Sequence, residues 1–292
     1  GMEWLYKGLE KYSYITIRSI IFKFIALIAM FVFVHKKDDY IIYGAISIFA
    51  ASASNILNII HARKYIDFSF IGHYDLRKHL KAVLVFFAMS CATTIYTNLD
   101  TVMLGFMKSD IDVGYYNAAV KIKVILVQVV ASLGGVLLPR CSYYVEKGMW
   151  AEFKRICSKA LNFVVVIALP LSVYFIIYAQ DAIVFLSGAE YLGAIFPMKI
   201  IMPTLLFIGI TNILGLQILV PLGKERIVLY SEIAGAITDL LLNIILIPKF
   251  GASGAAMGTL VAEFVVLSVQ YVALRKQLFD IFIKIQYWKI IA

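Results

Sequence analysis

Charged residues are scarce in this chain, and their scarcity argues against a soluble globular protein. They make up 15% of the 292 residues, whereas hydrophobic residues make up 62% and the mean hydropathy is +0.88. Soluble domains are about half apolar and about a quarter charged. A net charge of +9 also suits nucleic-acid binding, but here the charge is spread over short loops between apolar runs, as in a membrane protein.

Cysteine and histidine are also few, and they are not spaced as ligands. Cys91, Cys141 and Cys157 form no CxxC pair, and the four histidines are scattered through loops. Neither a disulfide framework nor a zinc site is indicated. The sequence also lacks an HxxxxD segment, an aspartate-rich loop and a Ser/His/Asp cluster, so it offers no recognisable catalytic set.

Long apolar runs fill most of the chain. A run of about 20 apolar residues crosses a bilayer as a helix. Pro170 and Pro203 fall inside two of the runs and indicate kinks or hinges. The sequence therefore predicts an all-α membrane protein with about eight transmembrane helices, at 14–34, 40–60, 83–105, 115–138, 160–180, 198–220, 228–248 and 252–274.

Basic residues collect on one side of these spans. With the N-terminus inside, the inner segments hold 18 Lys and Arg residues and the outer segments hold 4. Since basic loops stay on the cytoplasmic side, the N-terminus is predicted to be cytoplasmic. Residues 61–82 are then a basic cytoplasmic linker, and residues 276–292 form an interfacial segment and the beginning of a further helix.

Nine ionisable residues interrupt the apolar runs. A charge at mid-bilayer costs about 2.5–3.5 kcal/mol on insertion scales, so it normally faces a partner or a water-filled cavity. Polar residues share a helix face with several of the nine; in span 228–248, for example, Glu232, Asp239 and Asn243 lie on one stripe. Such stripes indicate a wet cavity, although Ser, Thr and Asn stripes also join helices. The nine residues are Arg18, Lys23, Asp100, Lys121, Lys123, Lys199, Glu232, Asp239 and Glu263.

The deep cations are candidates for binding an anionic substrate. Lys23 and Lys121 lie deepest in their spans, and Asn117 and Gln128 share the Lys121 face. A phosphate or pyrophosphate would gain charge-assisted hydrogen bonds there. Arg18 is a further substrate-binding candidate, although it lies on another face.

The acidic residues in the spans are candidates for ion coupling. Asp239 and Glu263 are central, Glu232 is nearer the inner end, and Asp100 lies in an outer third. Such groups could carry H⁺ or bind Na⁺ during transport. A static charge pair inside the bundle, and for Asp100 a pair with Lys121, are the alternatives. No cofactor and no metal is expected.

Several segments resemble Wzx-type polysaccharide flippases of the MATE-like exporter superfamily. Their order along the chain carries the resemblance more than any single motif does. The matching positions are 2–12, 14–19, 38–40, Asn58, 63–65, 99–105, 113–122, 138–140, 217–225, Asn243, Pro248, Gly251, 254–256 and Glu263.

The resemblance implies two six-helix bundles that face each other across a central cavity. Residues 1–60 would hold the last two helices of the first bundle, and residues 83–275 the six helices of the second. Four helices and whatever follows the last residue would be missing, so we expect an internal fragment.

The resemblance also implies a cargo, namely oligosaccharide repeat units on undecaprenyl pyrophosphate. They would cross the bacterial cytoplasmic membrane by alternating access for O-antigen, capsule or exopolysaccharide synthesis. Members of the family use a cationic cavity, for which Lys23 and Lys121 are candidates by position and Arg18 a further one. Besides membrane lipid, candidate partners are a polysaccharide polymerase and a chain-length regulator. A multidrug antiporter, a lipid II flippase and a membrane enzyme of polysaccharide assembly are the alternatives.

Overall fold

The fold is helical wherever the structure describes it. A computed structural model describes residues 2–36, 39–66 and 76–283, and helices are the regular elements within these ranges. The predicted all-α class is confirmed. The chain divides into two compact units, Gly1–Asp75 and Leu76–Ala292, so the boundary falls inside the predicted linker 61–82. Most of residues 276–292 and part of the linker lie outside the described residues or side chains.

The described part of the first unit contains one short helix and two long ones. They are α1 (Glu3–Gly8), α2 (Tyr12–Phe33) and α3 (Tyr40–Ala62). Helices α2 and α3 pack side by side, and many of their large apolar side chains point outward, including Phe31 at 76% exposure. An apolar outer surface is what lipid contact requires.

Asp39 fixes the joint between α2 and α3. Its Oδ2 accepts hydrogen bonds from the backbone N–H groups of His35, at 2.9 Å, and Lys36, at 2.8 Å. These two bonds favour the ionised form and hold the pKa of Asp39 below its usual value. The joint therefore keeps this carboxylate charged at neutral and mildly acidic pH.

The second unit is a bundle in which small residues allow close helix packing. At Gly235 of α10, a side-chain methyl group would meet Val266 of α11 at 2.5 Å, and at Gly209 one would meet Val130 and Val164. The elements are α4 (Leu76–Met107), α5 (Asp110–Glu146), α6 (Trp150–Ile177), α7 (Ala179–Ser187), a 3-10 helix (Ala189–Ala194), α8 (Ile195–Ile201), α9 (Thr204–Asn212), a π-helical segment (Ile213–Leu219), α10 (Glu225–Phe250) and α11 (Ala252–Ile283).

Most of the predicted spans correspond to apolar helices of sufficient length. In the described residues, six helices are long and apolar enough to cross a membrane, and one bent pair would make a seventh. The remaining predicted span, 83–105, lies within α4, which has 32 residues but is not among those seven. Helix α5 extends the predicted span 115–138 at both ends.

The predicted span 198–220 is broken rather than straight. Its two halves, Ala189–Ile201 and Thr204–Leu219, meet at an angle of 49°, and Pro203 lies at the break. The second half then widens into the π-helical segment, where the Val220 N–H donates to the Gly215 carbonyl at 3.0 Å. Pro170, by contrast, lies inside the uninterrupted helix α6.

One carboxylate sets the position of α5 against the turn between α10 and α11. Ser109 caps α5 by accepting the Asp112 N–H at 3.3 Å. Asp112 Oδ1 in turn accepts the Ala252 N–H at 3.3 Å, at the beginning of α11. Gly251 occupies the left-handed region with φ +54°, and a side chain there would meet Asp112. These contacts hold the ends of α5 and α11 together and so align the polar residues that the two helices carry further along.

Candidate functional site

Asp100 of α4 is the centre of a buried polar cluster in the second unit. Its side chain is 2% exposed. Thr259 of α11 donates to Asp100 Oδ2 at 2.8 Å, Tyr116 of α5 donates to the same oxygen, and Asn243 Nδ2 of α10 donates to Oδ1 at 2.6 Å. Four helices thus converge on one carboxylate, whose three partners are uncharged.

Asp239 completes this group, which we name the carboxylate cluster: Asp100, Tyr116, Asp239, Asn243 and Thr259. Asp239 is fully buried, and no described residue donates a hydrogen bond to either of its carboxylate oxygens, although the Asp100 carboxyl group lies within hydrogen-bond reach. The Oδ1 atom of Asn243 also lacks one. A buried, unpartnered polar group is costly unless it is neutralised or bound. A proton or a cation bound at the cluster would therefore neutralise an otherwise costly group.

A glycine on α11 provides the space that these oxygens occupy. A side-chain methyl group at Gly258 would lie 3.1 Å from Asp239 Oδ1 and would overlap Asn243 Oδ1. Asp239 also lies within electrostatic range of two further carboxyl groups, those of Asp100 and Glu263, and of the Lys123 ammonium group. Acidic groups therefore outnumber basic ones around Asp239.

The oxygen atoms of the carboxylate cluster are of the type that hard cations prefer. Carboxylate, amide carbonyl and hydroxyl oxygens are such ligands, whereas zinc and the softer metals favour thiolate and imidazole. Across the described part of the chain, no group of three or more His, Cys, Asp or Glu side chains is arranged to hold a metal ion. The oxygen atoms of the cluster suit a proton or a hard cation.

A half-open cavity of about 620 Å³, mostly apolar in surface but with charged and hydroxyl side chains, lies near the carboxylate cluster; we name it the polar cavity after those side chains. Side chains from α4, α5, α9, the π-helical segment, α10 and α11 line it, and its charged members are Lys123, Glu232 and Glu263. Thr93 Oγ1 donates to Glu232 Oε2 at 3.5 Å. Glu263, only 7% exposed, both lines the polar cavity and interacts with Asp239. It therefore connects the cavity to the cluster.

The predicted Lys121 face of α5 is only partly directed toward this cavity. Gln128 lines the polar cavity, and Asn117 accepts a hydrogen bond from Thr101 of α4 at 3.3 Å. Lys121 is exposed and does not line the cavity, whereas Lys123 does. Two residues that are two positions apart on a helix point roughly 200° from each other. The cation of this cavity is therefore Lys123.

The predicted alternative of a pair between Asp100 and Lys121 is wrong. Asp100 has Tyr116, Asn243 and Thr259 as partners, and Lys121 is exposed. Sequence spacing placed the two residues at a similar depth. Depth does not determine the direction in which each helix turns its side chains, and Asp100 is turned into the bundle.

The first unit contains the other two predicted substrate-binding residues. Arg18 is 5% exposed; its guanidinium group donates to Asn58 Oδ1 and, at 3.0 Å, to Glu3 Oε1. Arg18 thereby joins α1, α2 and α3. Lys23 is exposed on α2. Substrate binding by these two residues and by Lys121 stays a prediction.

Comparison with known proteins associates the chain with membrane transporters. Residues 86–245 match the MatE family, and residues 2–145 match a family described as polysaccharide biosynthesis protein. Two relatives, from Escherichia coli (strain K12) and Shigella dysenteriae, are each named "Putative O-antigen transporter". They are 26% identical over 277 residues and 27% identical over 272 residues, covering 93% and 90% of this chain. The chain spans 66% of the length of each relative.

A solved structure shares the fold. The match is to a lipid II flippase, MurJ, in an inward closed conformation, with a TM-score of 0.64 at 20% identity. The matched region covers 92% of this chain and 58% of the other. At that level of identity the likeness concerns the fold alone.

Proposed function

Because this chain belongs to the MatE family, as a Wzx-type member of the MATE-like exporters, we propose that the protein flips oligosaccharide repeat units linked to undecaprenyl pyrophosphate. The repeat units would move outward across the bacterial cytoplasmic membrane for surface polysaccharide synthesis. The excess of Lys and Arg on the inner segments, 18 against 4, supports a cytoplasmic N-terminus for the chain. The protein would act as a carrier, without a catalytic step.

One observation carries this proposal: apolar helices of the second unit form a half-open cavity of about 620 Å³ that contains charged and hydroxyl side chains. A sugar–pyrophosphate head cannot enter hydrocarbon, because the loss of its hydration would cost more than apolar contacts return. Polar walls replace that water while the lipid chain stays in the bilayer. Rocking of one helical bundle against another would then change the side on which the head is exposed.

The anionic part of the cargo requires cations. Lys23 and Lys121 are exposed in their units, so both are free to meet a pyrophosphate in the complete protein. Arg18 contributes less directly, because its guanidinium group already binds Glu3 and Asn58. We assign Lys23 and Lys121 to the phosphates and Arg18 to the support of α2, with Asn117 and Gln128 beside Lys121.

The carboxylate cluster would couple transport to an ion gradient. No described residue donates to Asp239, and the Asp100 carboxyl group lies within hydrogen-bond reach of it, so the binding of H⁺ or Na⁺ there would relieve an uncompensated buried charge. Glu263 and Glu232 would extend the path into the polar cavity. An ion that neutralises the cluster in one conformation only would bias the exchange between conformations.

Complementation tests the proposal. The protein, expressed at full length, is introduced into a panel of flippase-deficient strains that assemble different lipid-linked repeat units. We expect restored surface polysaccharide in at least one strain, detected on gels or by immunoblotting. Failure in every strain, with the protein inserted in the membrane, would contradict the proposal. Restored growth of a strain that lacks its lipid II flippase, or drug resistance without polysaccharide export, would favour the corresponding alternative.

A further inference from the structure

Three amide side chains in or near the π-helical segment each have a buried oxygen atom without a partner. The atoms are Asn212 Oδ1, Gln217 Oε1 and Gln270 Oε1, and no described residue donates to them. Gln217 and Gln270 are each 1% exposed. Buried polar groups in folded proteins are almost always hydrogen-bonded, so these three oxygen atoms are candidates to accept a hydrogen bond from water or from a ligand.

Two glycines bring these amides together. A side-chain methyl group at Gly134 of α5 would overlap Asn212 Oδ1 and would lie 2.7 Å from Gln217 Nε2. One at Gly215 would lie 3.4 Å from both polar atoms of the Gln270 amide. Gln270 Nε2 already donates to Ser231 Oγ at 3.0 Å, which leaves Oε1 as its open atom. The arrangement is therefore a built acceptor site around a widened helical turn.

This acceptor site adjoins the polar cavity. Asn212, Gly215 and Gln270 line the cavity together with hydroxyl side chains of α4, among them Thr94 and Thr97. At about 620 Å³, the cavity is within the size range of about 300–1,000 Å³ that is usual for small-molecule sites. It can therefore hold a group of several polar atoms rather than a single water molecule.

The charges of the cavity indicate what kind of group it holds. Glu232 and Glu263 line it with one cation, Lys123, so its charged residues give an anionic pyrophosphate no net attraction. Amide oxygens accept hydrogen bonds from uncharged hydroxyl groups, and threonine hydroxyls can both donate and accept. The lining thus matches a neutral, hydroxyl-rich ligand.

The geometry points to a saccharide subsite in the second unit, at which Asn212 and Gln270 accept hydrogen bonds from sugar hydroxyl groups and the π-helical segment positions them. This inference rests on the proposed function and deepens it. The sugar of the cargo binds the amides of the polar cavity, while the pyrophosphate binds lysines elsewhere. Asn212 and Gln270 are then residues that determine which sugars are accepted.

Binding of neutral monosaccharides to the purified full-length protein in nanodiscs tests the inference. The probes are methyl glycosides of common hexoses, 6-deoxyhexoses and N-acetylhexosamines, followed by saturation-transfer NMR, with inorganic pyrophosphate as the charged comparison. We expect saturable binding of at least one glycoside. Gln270→Met and Asn212→Leu, which keep side-chain volume, should each weaken it about fivefold to tenfold, the effect of one or two lost hydrogen bonds. Pyrophosphate binding should stay unchanged.

Two further variants keep the test decisive. Thr94→Val removes a hydroxyl from an exposed position of the cavity wall, so it should fold normally and still weaken glycoside binding. Gln180→Met replaces an exposed glutamine on α7 and should leave binding unchanged. Melting of each variant is followed in parallel, so that loss of binding is separated from loss of fold.

The outcomes separate this inference from the proposed function. If no glycoside binds while lipid-linked repeat units are still exported, the subsite is overturned and the flippase proposal stands. If glycosides bind and the variants weaken them but no strain is complemented, the flippase proposal fails alone. The subsite is overturned if Gln270→Met and Asn212→Leu leave glycoside binding intact. It is also overturned if these substitutions change the affinity for Na⁺ but not the affinity for glycosides.

Discussion

Each unit buries an ionisable group among apolar helices, but only one of the two groups has a described partner of complementary charge or hydrogen-bonding type. In the first unit, Arg18 donates to Glu3 and Asn58 and joins three helices. In the second unit, Asp239 is fully buried, and its oxygens have no donor in the described ranges. A compensated buried charge contributes to the fold, whereas an uncompensated one weakens it. Arg18 therefore has a structural explanation, and Asp239 needs a functional one.

The comparison predicts opposite effects of substitution on stability and on transport. Where a charge is compensated, its removal should lower stability. Where it is uncompensated, its removal should preserve or raise stability and abolish function, because functional sites commonly retain such strain. Four substitutions test this contrast.

The largest effect is expected for Asp239→Asn in the full-length protein. The amide cannot carry a proton or balance a cation, so we expect at least a tenfold loss of gradient-driven transport, measured in vesicles with an imposed H⁺ or Na⁺ gradient. Thermal stability should stay the same or rise, by up to about 2 kcal/mol, since a buried charge is removed. Asp181→Asn, at an exposed position of α7, is the matched control. Intact coupling in Asp239→Asn would remove the residue from the ion path.

Arg18→Leu should lower the free energy of unfolding by about 2 kcal/mol, because it breaks a buried ion pair and leaves Asn58 without its partner. The value is below that for a fully buried pair because Glu3 is 42% exposed. Lys7 lies 3.7 Å from the same Glu3 carboxylate but is itself 49% exposed, so Lys7→Leu should cost less than about 1 kcal/mol. Thermal melting of both variants checks the difference; equal losses would mean that Arg18 does not join the three helices.

Gly258→Ala should cost about 1–2 kcal/mol, since the added methyl group overlaps Asn243 Oδ1 and crowds Asp239. At Gly135 of α5, a side-chain methyl group would meet no atom of another described element within 4 Å, so Gly135→Ala should gain up to about 1 kcal/mol of helix propensity. The melting temperature of each variant is compared with that of the unsubstituted protein; it should fall for Gly258→Ala and rise for Gly135→Ala. A stabilised Gly258→Ala variant would contradict the close packing of the carboxylate cluster.

The smallest effect is expected for Lys121→Ala. An exposed lysine contributes at most about 1 kcal/mol to an ionic contact, so export should fall about twofold to fivefold while stability is unchanged. Lys123→Ala, two residues further on, removes the cation of the polar cavity and should instead change ion dependence. Export assays at several Na⁺ concentrations separate the two variants. If export by the two variants depended on Na⁺ concentration in the same way, Lys121 and Lys123 would have the same surroundings, contrary to the structure.

Hydropathy was enough to predict most of the helices, because a membrane span needs little more than length and an apolar surface. Proline marked the break at Pro203, since it removes a backbone donor, but the same signal at Pro170 falls inside the continuous helix α6. The π-helical segment carries no comparable signal. A widened turn depends on which neighbours pack against it, here the surfaces at Gly134 and around Gln270, and those contacts come from distant parts of the chain.

The candidate site was predicted in part. Periodicity grouped Glu232, Asp239 and Asn243 on one stripe of α10, and the structure divides that stripe between the polar cavity and the carboxylate cluster. Tyr116 was missed as a partner of Asp100, because a tyrosine near the end of an apolar run resembles an interfacial residue. Packing fixes the rotation of each helix about its own axis. A single sequence therefore shows which residues share a helix face, but not which residues of other helices that face contacts.

The wide turn at Ile213–Leu219 has a mechanical consequence. A π-type turn holds about one residue more than an α-type turn. The segment therefore contains one extra residue, and the backbone hydrogen bonds of the helix on either side keep their usual pattern. If the wide turn moved by one position along the helix, one residue would rotate by roughly 100° about the helix axis, while the helix before and after it would keep its orientation. Gln217 lies within this segment. A one-residue shift of the wide turn would therefore rotate its amide away and bring a neighbouring leucine or isoleucine to the same position.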